Sequence, residues 1–371
     1  MKTRAAVLRE PGKPLEIEEL ELAAPGEGEV LIRYTHAGLC RSDQHVMTGQ
    51  IQGWLPMVLG HEGAGVIEDV GPGVSRVRPG DHVVCSFIPN CGTCRWCATG
   101  QQAICDWGAN TMRGFLPGER WPLSGARGRY GAMCLLGTFS QYGVIHQNSA
   151  VRIDDDLPLD VSALVGCGVP TGWGSATNAA DVRPGDVVVV YGVGGIGINA
   201  VQGARYAGGR SVIAVDPVPF KRETALGLGA THACATAEEA HRVALDLTRG
   251  VGADKAIVTT DHAAAETVSQ AFDAVGKAGV VVLTAMGGLA DRTISLPGTI
   301  ATLWKKTVKG SLFGDCNPTA DIPRLLDLYR VGDLKLDELI TRRYRLDEVN
   351  EGYDDLVEGR TIRGVIVHEH D

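Results

Sequence analysis

Asp186-Val187-Val188-Val189-Val190-Tyr191-Gly192-Val193-Gly194-Gly195-Ile196-Gly197 decides the fold. Its first half is a short unbroken apolar run of β-branched residues, the pattern of a strand buried on both faces of a parallel sheet. Its second half is G-x-G-x-x-G, and the residues after it read as a helix. Gly-rich turns are common, so the glycines alone mean little. What matters is their context: a buried strand before them, a helix after, and Asp216 closing the next strand (Ser211–Val215) about 20 residues on. In that frame Gly192 allows the tight turn, Gly194 lets backbone approach a pyrophosphate, and Gly197 lets the helix pack closely. With Gly195 and Ile196 they present the helix N-terminus to phosphate. Asp216 would accept hydrogen bonds from ribose hydroxyls and repel a 2′-phosphate, which selects NAD over NADP. Further strands at Lys255–Thr259 and Gly279–Ala285 alternate with helical stretches, which makes this half a doubly wound parallel sheet.

Upstream the character is different. Glu29–Tyr34, Gly65–Val70 and His82–Phe87 read as short strands between Gly, Pro and Asp turns, a β-rich region expected to form a small distorted barrel. On a loop leaving one strand lies Gly38-Leu39-Cys40-Arg41-Ser42-Asp43-Gln44-His45. Gly60-His61-Glu62 supplies a second metal-binding group and Gly166-Cys167-Gly168 a third. Two thiolates and one imidazole leave the fourth position of a tetrahedral zinc ion open to substrate. Cys91, Cys94, Cys97 and Cys105 then follow within fifteen residues, a spacing that can close around one ion. A disulfide framework and an iron–sulfur cluster are the competing readings. The Pro that usually follows the cluster motif is missing. Four sulfurs fill a zinc coordination sphere, so this site is read as structural.

Residues 106–138 show little periodicity and many Gly and Arg, and are read as a surface segment shaping a pocket mouth or a subunit contact. The tail carries an amphipathic helix with Ile322, Leu325, Leu326 and Tyr329 on one face. A second helical segment near Asp347–Glu358 precedes a strand at Arg363–Val367. At 371 residues the chain is long enough for two domains. Its formal charge of −9, with no basic run, argues against nucleic acid or an anionic membrane as partner. No apolar segment has the length of a membrane span and none resembles a signal peptide, so a cytoplasmic location is expected. Its ten cysteines are then reserved for metal or burial.

With these motifs in this order, the chain resembles the zinc-containing alcohol dehydrogenases of the medium-chain dehydrogenase/reductase superfamily over essentially its whole length. The resemblance implies a GroES-like β-rich catalytic domain at 1–168 with a structural zinc lobe near 91–105. It also implies an inserted Rossmann domain at 169–311 and a segment at 312–371 that completes the catalytic domain. Two zinc ions per chain and NAD are the implied cofactors, and a homodimer or homotetramer the implied assembly. Cys40, His61 and Cys167 become ligands of the catalytic zinc, with Glu62 behind it as an alternative ligand. Asp43 would orient the ligand histidine, and Ser42 and His45 would relay the substrate's proton. Arg41 and Arg363 match pyrophosphate contacts, Thr171 a nicotinamide contact, Lys221 a ribose contact and Phe87 a wall of the substrate pocket.

Within the family, residues 106–138 give the longer form shared by glutathione-dependent formaldehyde dehydrogenases. Ala109, however, stands where those carry a carboxylate-binding arginine. Ser86-Phe87-Ile88-Pro89, Asp216-Pro217-Val218-Pro219-Phe220-Lys221-Arg222-Glu223, Asn317-Pro318 and Leu334-Lys335-Leu336-Asp337-Glu338-Leu339-Ile340 look instead like the bacterial N,N-dimethyl-4-nitrosoaniline (NDMA)-dependent alcohol dehydrogenases. That resemblance implies NAD held in place and recycled by an external redox acceptor, with a small alcohol or aldehyde as substrate. A zinc-free quinone reductase or a non-catalytic NAD-binding redox sensor would lack the Cys40, His61 and Cys167 set that this chain keeps.

Overall fold

A computed structural model describes residues 1–286 and 293–370. The chain divides into two compact units, one of 1–167 with 317–371 and the other of 168–316. The expected Rossmann span includes 287–292, which lie outside the described residues. The inserted unit ends at 316 rather than 311. Phe313–Asp315 forms a turn pressed against the unit's first helix, Gly168–Gly174, and the Cys316 thiol donates to the Pro170 carbonyl.

The inserted unit is built on a six-stranded sheet. In space its strands run His232–Cys234, Ser211–Val215, Val187–Tyr191, Ala253–Val258, Val275–Leu283 and Thr307–Gly310, all parallel. In chain order this is third, second, first, fourth, fifth, sixth, the doubly wound arrangement that binds dinucleotides where the order reverses. The central strand explains its composition: Val187, Val188, Val189 and Val190 are each 0% exposed, and such a valine contributes about 1.5–3 kcal/mol. Helices Gly197–Tyr206, Pro219–Gly227, Ala237–Leu247 and Ala265–Ala274 connect the first five strands.

The other unit holds a closed barrel and a seven-stranded sheet. The barrel strands are Lys2–Leu8, Glu16–Leu22, Leu123–Gly125, Gly128–Ala132 and Met57–Val58. The 106–138 segment is thus corrected in part. Its second half closes the barrel and buries Leu123, Tyr130 and Leu135 in its core, although strands of three and five residues are too short to show alternation. In the large sheet, Glu29–Gly38 lies between Glu62–Val70 and Arg363–Val367, both antiparallel to it. Gly38 therefore faces Glu62 on one side and Val365 on the other. A β-carbon at Gly38 would sit 2.2 Å from a Glu62 carboxylate oxygen, so any larger residue would have to displace that carboxylate. The tail helix Pro318–Arg330 buries Ile322, Leu325 and Leu326, with Tyr329 only partly covered. Among the described residues no helix is long and apolar enough to cross a membrane.

Candidate metal and dinucleotide sites

Cys40 follows directly on the strand Glu29–Gly38 and precedes a short helix, Arg41–Met47. The expectation of a loop there is corrected. Two helical turns are too short to reveal a period, and the Cys40 side chain makes no cap hydrogen bond. The helix turns Asp43 inward, where it is 0% exposed. Its Oδ1 accepts from the Gly60 amide at 2.9 Å and from His61 Nδ1 at 3.1 Å. One carboxylate oxygen thus fixes both the Gly60 turn and the His61 tautomer, leaving Nε2 as the lone-pair nitrogen. Gly60 is required twice over: its φ is +88°, and a β-carbon there would lie 2.4 Å from Thr138 Oγ1. On the far side of the site, Gly166 lies against the Cys85 carbonyl, where a β-carbon would meet oxygen at 2.4 Å. Cys167 follows directly on it.

Cys40, His61, Glu62 and Cys167 converge, each offering one ligand atom, all within 4.8 Å of one another and all buried. The electrostatics are those of a cation site. A hydrogen bond from Cys167 holds Cys40 well below the ordinary thiol range, and the same bond, with burial, holds Cys167 above it. Burial pulls His61 down, but the Asp43 and Cys40 charges outweigh it and leave the ring strongly basic. Two thiols and one imidazole, with a carboxylate beside them, are a donor set that fits a zinc ion. Glu62 accepts from the Arg363 guanidinium, which also donates to the Leu39 carbonyl at 3.2 Å. Burial pushes the Glu62 carboxyl up to about 7, against the pull of Arg363. Arg363 is 4% exposed, and among the described residues its hydrogen-bond partners are these two groups. Arg41 is half-buried, and one of its nitrogens donates to the Leu356 carbonyl at 3.3 Å.

Ser42 Oγ lies 3.7 Å from Cys40 Sγ. His45 is buried one helical turn further on, so the two share a face of the helix. Phe87 stands edge-on to His61 with ring centroids 5.8 Å apart.

The four-cysteine lobe folds around helix Arg95–Ala98. Cys91 and Cys97 sulfurs lie 3.9 Å apart, and those of Cys94 and Cys105 4.0 Å. A tetrahedron with metal–sulfur bonds of about 2.3 Å has edges of about 3.8 Å, close to the separations seen. These distances are far beyond a disulfide, whose sulfurs lie about 2.05 Å apart. The Cys94 amide donates to Cys91 Sγ at 3.3 Å and the Cys97 amide to Cys94 Sγ at 3.5 Å, bonds that favour thiolate.

In the inserted unit, the loop after Val187–Tyr191 has the expected form. Gly192 has φ +82°, and a β-carbon there would meet the Thr260 backbone at 2.9 Å. At Gly197 it would lie 1.8 Å from the Gly192 carbonyl. Gly194 differs: a β-carbon would meet nothing within 4 Å, and Gly194, Gly195 and Ile196 are all partly exposed. That open cradle at a helix N-terminus is the shape a pyrophosphate fills. Asp216 steadies the loop, its carboxylate accepting from Val193 N at 3.1 Å and Val218 N at 2.9 Å. Lys221 lies in the first turn of Pro219–Gly227, half-exposed. Thr171 is buried on Gly168–Gly174. Thr259 was not among the expected residues. Its hydroxyl donates to the Gly192 carbonyl at 2.6 Å and locks the glycine turn. Its position beyond the carboxyl end of a parallel strand is the signal that marks it.

Comparison with known proteins agrees with this geometry. Residues 26–155 match the alcohol dehydrogenase GroES-like domain, and residues 195–330 the zinc-binding dehydrogenase family. An NDMA-dependent alcohol dehydrogenase of Amycolatopsis methanolica is 59% identical over all of both chains. A zinc-binding-domain alcohol dehydrogenase protein from Burkholderia ambifaria superposes with a TM-score of 0.93 at 33% identity, covering both chains fully. Benzyl alcohol dehydrogenase from Acinetobacter calcoaceticus does so with a TM-score of 0.93 at 30% identity, also in full. Sharing its whole length, both domains and its architecture with these enzymes, the chain belongs to the zinc-binding alcohol dehydrogenases of the medium-chain dehydrogenase/reductase superfamily.

Proposed function

We propose that this alcohol dehydrogenase holds its catalytic zinc on Cys40, His61 and Cys167 and a second, structural zinc on Cys91, Cys94, Cys97 and Cys105. We further propose that its NAD stays bound between turnovers and is reoxidised by an external acceptor. The observation that carries the first part is the convergence of two thiols and one imidazole, remote in sequence, on one buried point. The 59% identity to an NDMA-dependent enzyme supports the second.

A bound zinc supplies Lewis acidity that makes an alcohol hydroxyl easier to deprotonate, and NAD supplies the hydride acceptor. The remaining work belongs to the chain. Ser42 Oγ, beside Cys40, is placed to take the hydroxyl proton, and His45 on the same helical face to pass it on. Phe87 presents an apolar edge beside His61 and excludes water there. Asp43 keeps His61 in the tautomer that ligates through Nε2. The Gly194 cradle and Asp216 hold the dinucleotide. The substrate class is a small alcohol, interconverted with its aldehyde or ketone.

The test adds alcohol to dialysed protein with no free NAD. A single reduction of bound nicotinamide, stalled until an electron acceptor is supplied, is the expected result. Protein purified empty of cofactor that releases NADH continuously on adding NAD would reject the recycling while leaving the zinc chemistry intact.

A further inference from the structure

Asp43 poses an accounting problem. Its Oδ1 carries two hydrogen bonds, but Oδ2 is buried with none, on a carboxylate that is 0% exposed. A carboxylate oxygen left without a partner in the interior is costly, on the order of 1–3 kcal/mol or more. A second buried atom lacks a partner too, the phenolic oxygen of Tyr353 on helix Val349–Val357. One is an acceptor and the other a donor, so each is the chemistry the other needs.

The two belong to one neighbourhood. The Tyr353 ring is packed in the same core cluster as Val46, Leu59, Met133 and Phe139. Val46 lies one helical turn from Asp43, and Leu59 directly precedes the Gly60 that Asp43 binds. The Phe139 and Tyr353 rings meet edge to face with centroids 6.2 Å apart. The phenol also responds to the carboxylate: burial first, and Asp43 next, hold it well above the ordinary tyrosine range. Cys134 also feels Asp43, but burial pushes its thiol up to about 12 and a thiol is a weak donor.

We infer that Tyr353 is a positioning residue for the metal, its phenol donating to Asp43 Oδ2 and so completing a chain Tyr353–Asp43–His61 that fixes the ligand imidazole. This rests on the assignment of His61 to a catalytic metal. A histidine ligand is held by what its second nitrogen touches, and that carboxylate is in turn held by what touches its other oxygen. An Asp43 anchored at one oxygen only can pivot about it. Anchored at both, it cannot.

The experiment compares wild type and Tyr353→Phe loaded with Co2+ alone, reading the thiolate-to-cobalt and ligand-field absorption. Cys167→Ser subtracts the site in question from the four-cysteine lobe. The expected result is a shifted ligand-field spectrum at the Cys40–His61–Cys167 site in Tyr353→Phe and cobalt loss to chelator about 10-fold faster. The four-cysteine signal should not change, and Cys134→Ala should behave as wild type. A merely structural phenol predicts the opposite: deleting a buried unpartnered hydroxyl leaves spectrum and chelator rate untouched and raises the melting temperature or leaves it alone. That outcome, or a chelator effect in Cys134→Ala alone, overturns the inference. If wild type gives no cobalt signal that Cys167→Ser removes, the metal assignment itself falls. In a His61→Ala background, Tyr353→Phe should have no further effect on cobalt loss, because the chain has no end to hold.

Discussion

Cys167 is where a single atom decides most. It lies more than a hundred positions beyond Cys40 and His61, and it follows directly on Gly166, where a β-carbon would meet the Cys85 carbonyl. Cys167→Ser exchanges a thiolate for a poorly ligating hydroxyl while keeping the volume nearly unchanged. Turnover should fall at least about 1000-fold, one metal per chain should be lost, and the far-ultraviolet dichroism should be preserved. Near-normal activity in a variant shown to lack that metal would remove Cys167 from the ligand set. The proton relay can be weighed separately. Ser42→Ala should cost about 100- to 10,000-fold in alcohol oxidation, whereas His45→Gln should cost less and mainly at low pH, where solvent base is scarce. Unchanged pH–rate profiles in both variants would exclude the relay. At this scale the sequence was legible where the pattern is local: the glycine turns, the acidic residue after the second strand, and the Cys and His groups that the fold brings together. It was silent on pairings made by folding. Nothing near Glu62 announces Arg363, because the pair is joined only when strands remote in sequence become neighbours.

The glycine-rich turn is an element whose parts have separable duties. Gly197 is structural: a β-carbon 1.8 Å from the Gly192 carbonyl cannot be accommodated without moving the helix off the sheet. Gly194 is not, since a β-carbon there meets nothing within 4 Å. Gly197→Ala should therefore destabilise the protein by about 2 kcal/mol or more, visible as a lower melting temperature. Gly194→Ala should leave the melting temperature of cofactor-free protein nearly unchanged and weaken NAD binding about 10-fold or more, because the methyl occupies the space of the pyrophosphate. Titration calorimetry beside thermal melts separates the two. Equal loss of stability in both variants would show that Gly194 serves packing rather than ligand. Elements were read well from sequence when their burial was complete or nearly so, as in Ser211–Val215 and Arg363–Val367, both found at the expected bounds. They were read poorly when short. Arg41–Met47 and the paired strands Leu123–Gly125 and Gly128–Ala132 are fixed by tertiary partners, and seven, three and five residues hold too little pattern to say so.

At the scale of the whole molecule, the metal-binding unit is assembled from both ends of the chain, 1–167 and 317–371, and its tail must be pinned back. The pins are polar. His370 Nε2 donates to the Tyr34 carbonyl at 2.7 Å, Gln141 Nε2 donates to the Glu369 carbonyl at 2.6 Å, and His368 Nε2 donates to the Thr138 carbonyl at 2.9 Å. His368 is the vulnerable one. It is 6% exposed, its Nδ1 is buried without a partner, and burial brings its pKa from 6.5 down to about 3. The unfolded chain thus takes up a proton near 6.5 that the folded chain accepts only near 3, so the unfolded state binds more protons across that window. Stability then rises with pH, is complete above about 6.5, and is lost as pH falls toward 3. The limiting slope for one such group is about 1.4 kcal/mol per pH unit. His146, held down to about 4 by burial and by Arg76, adds in the same direction, more weakly because its ring is partly exposed. His368→Gln keeps a donor for Thr138 and removes the titrating ring. Denaturant unfolding from pH 7 to 4 should give a shallower acid loss in that variant, with stability at pH 7 lowered by about 1 kcal/mol for the imperfect fit. Parallel curves for variant and wild type would assign the acid sensitivity elsewhere and leave His368 as a hydrogen bond only.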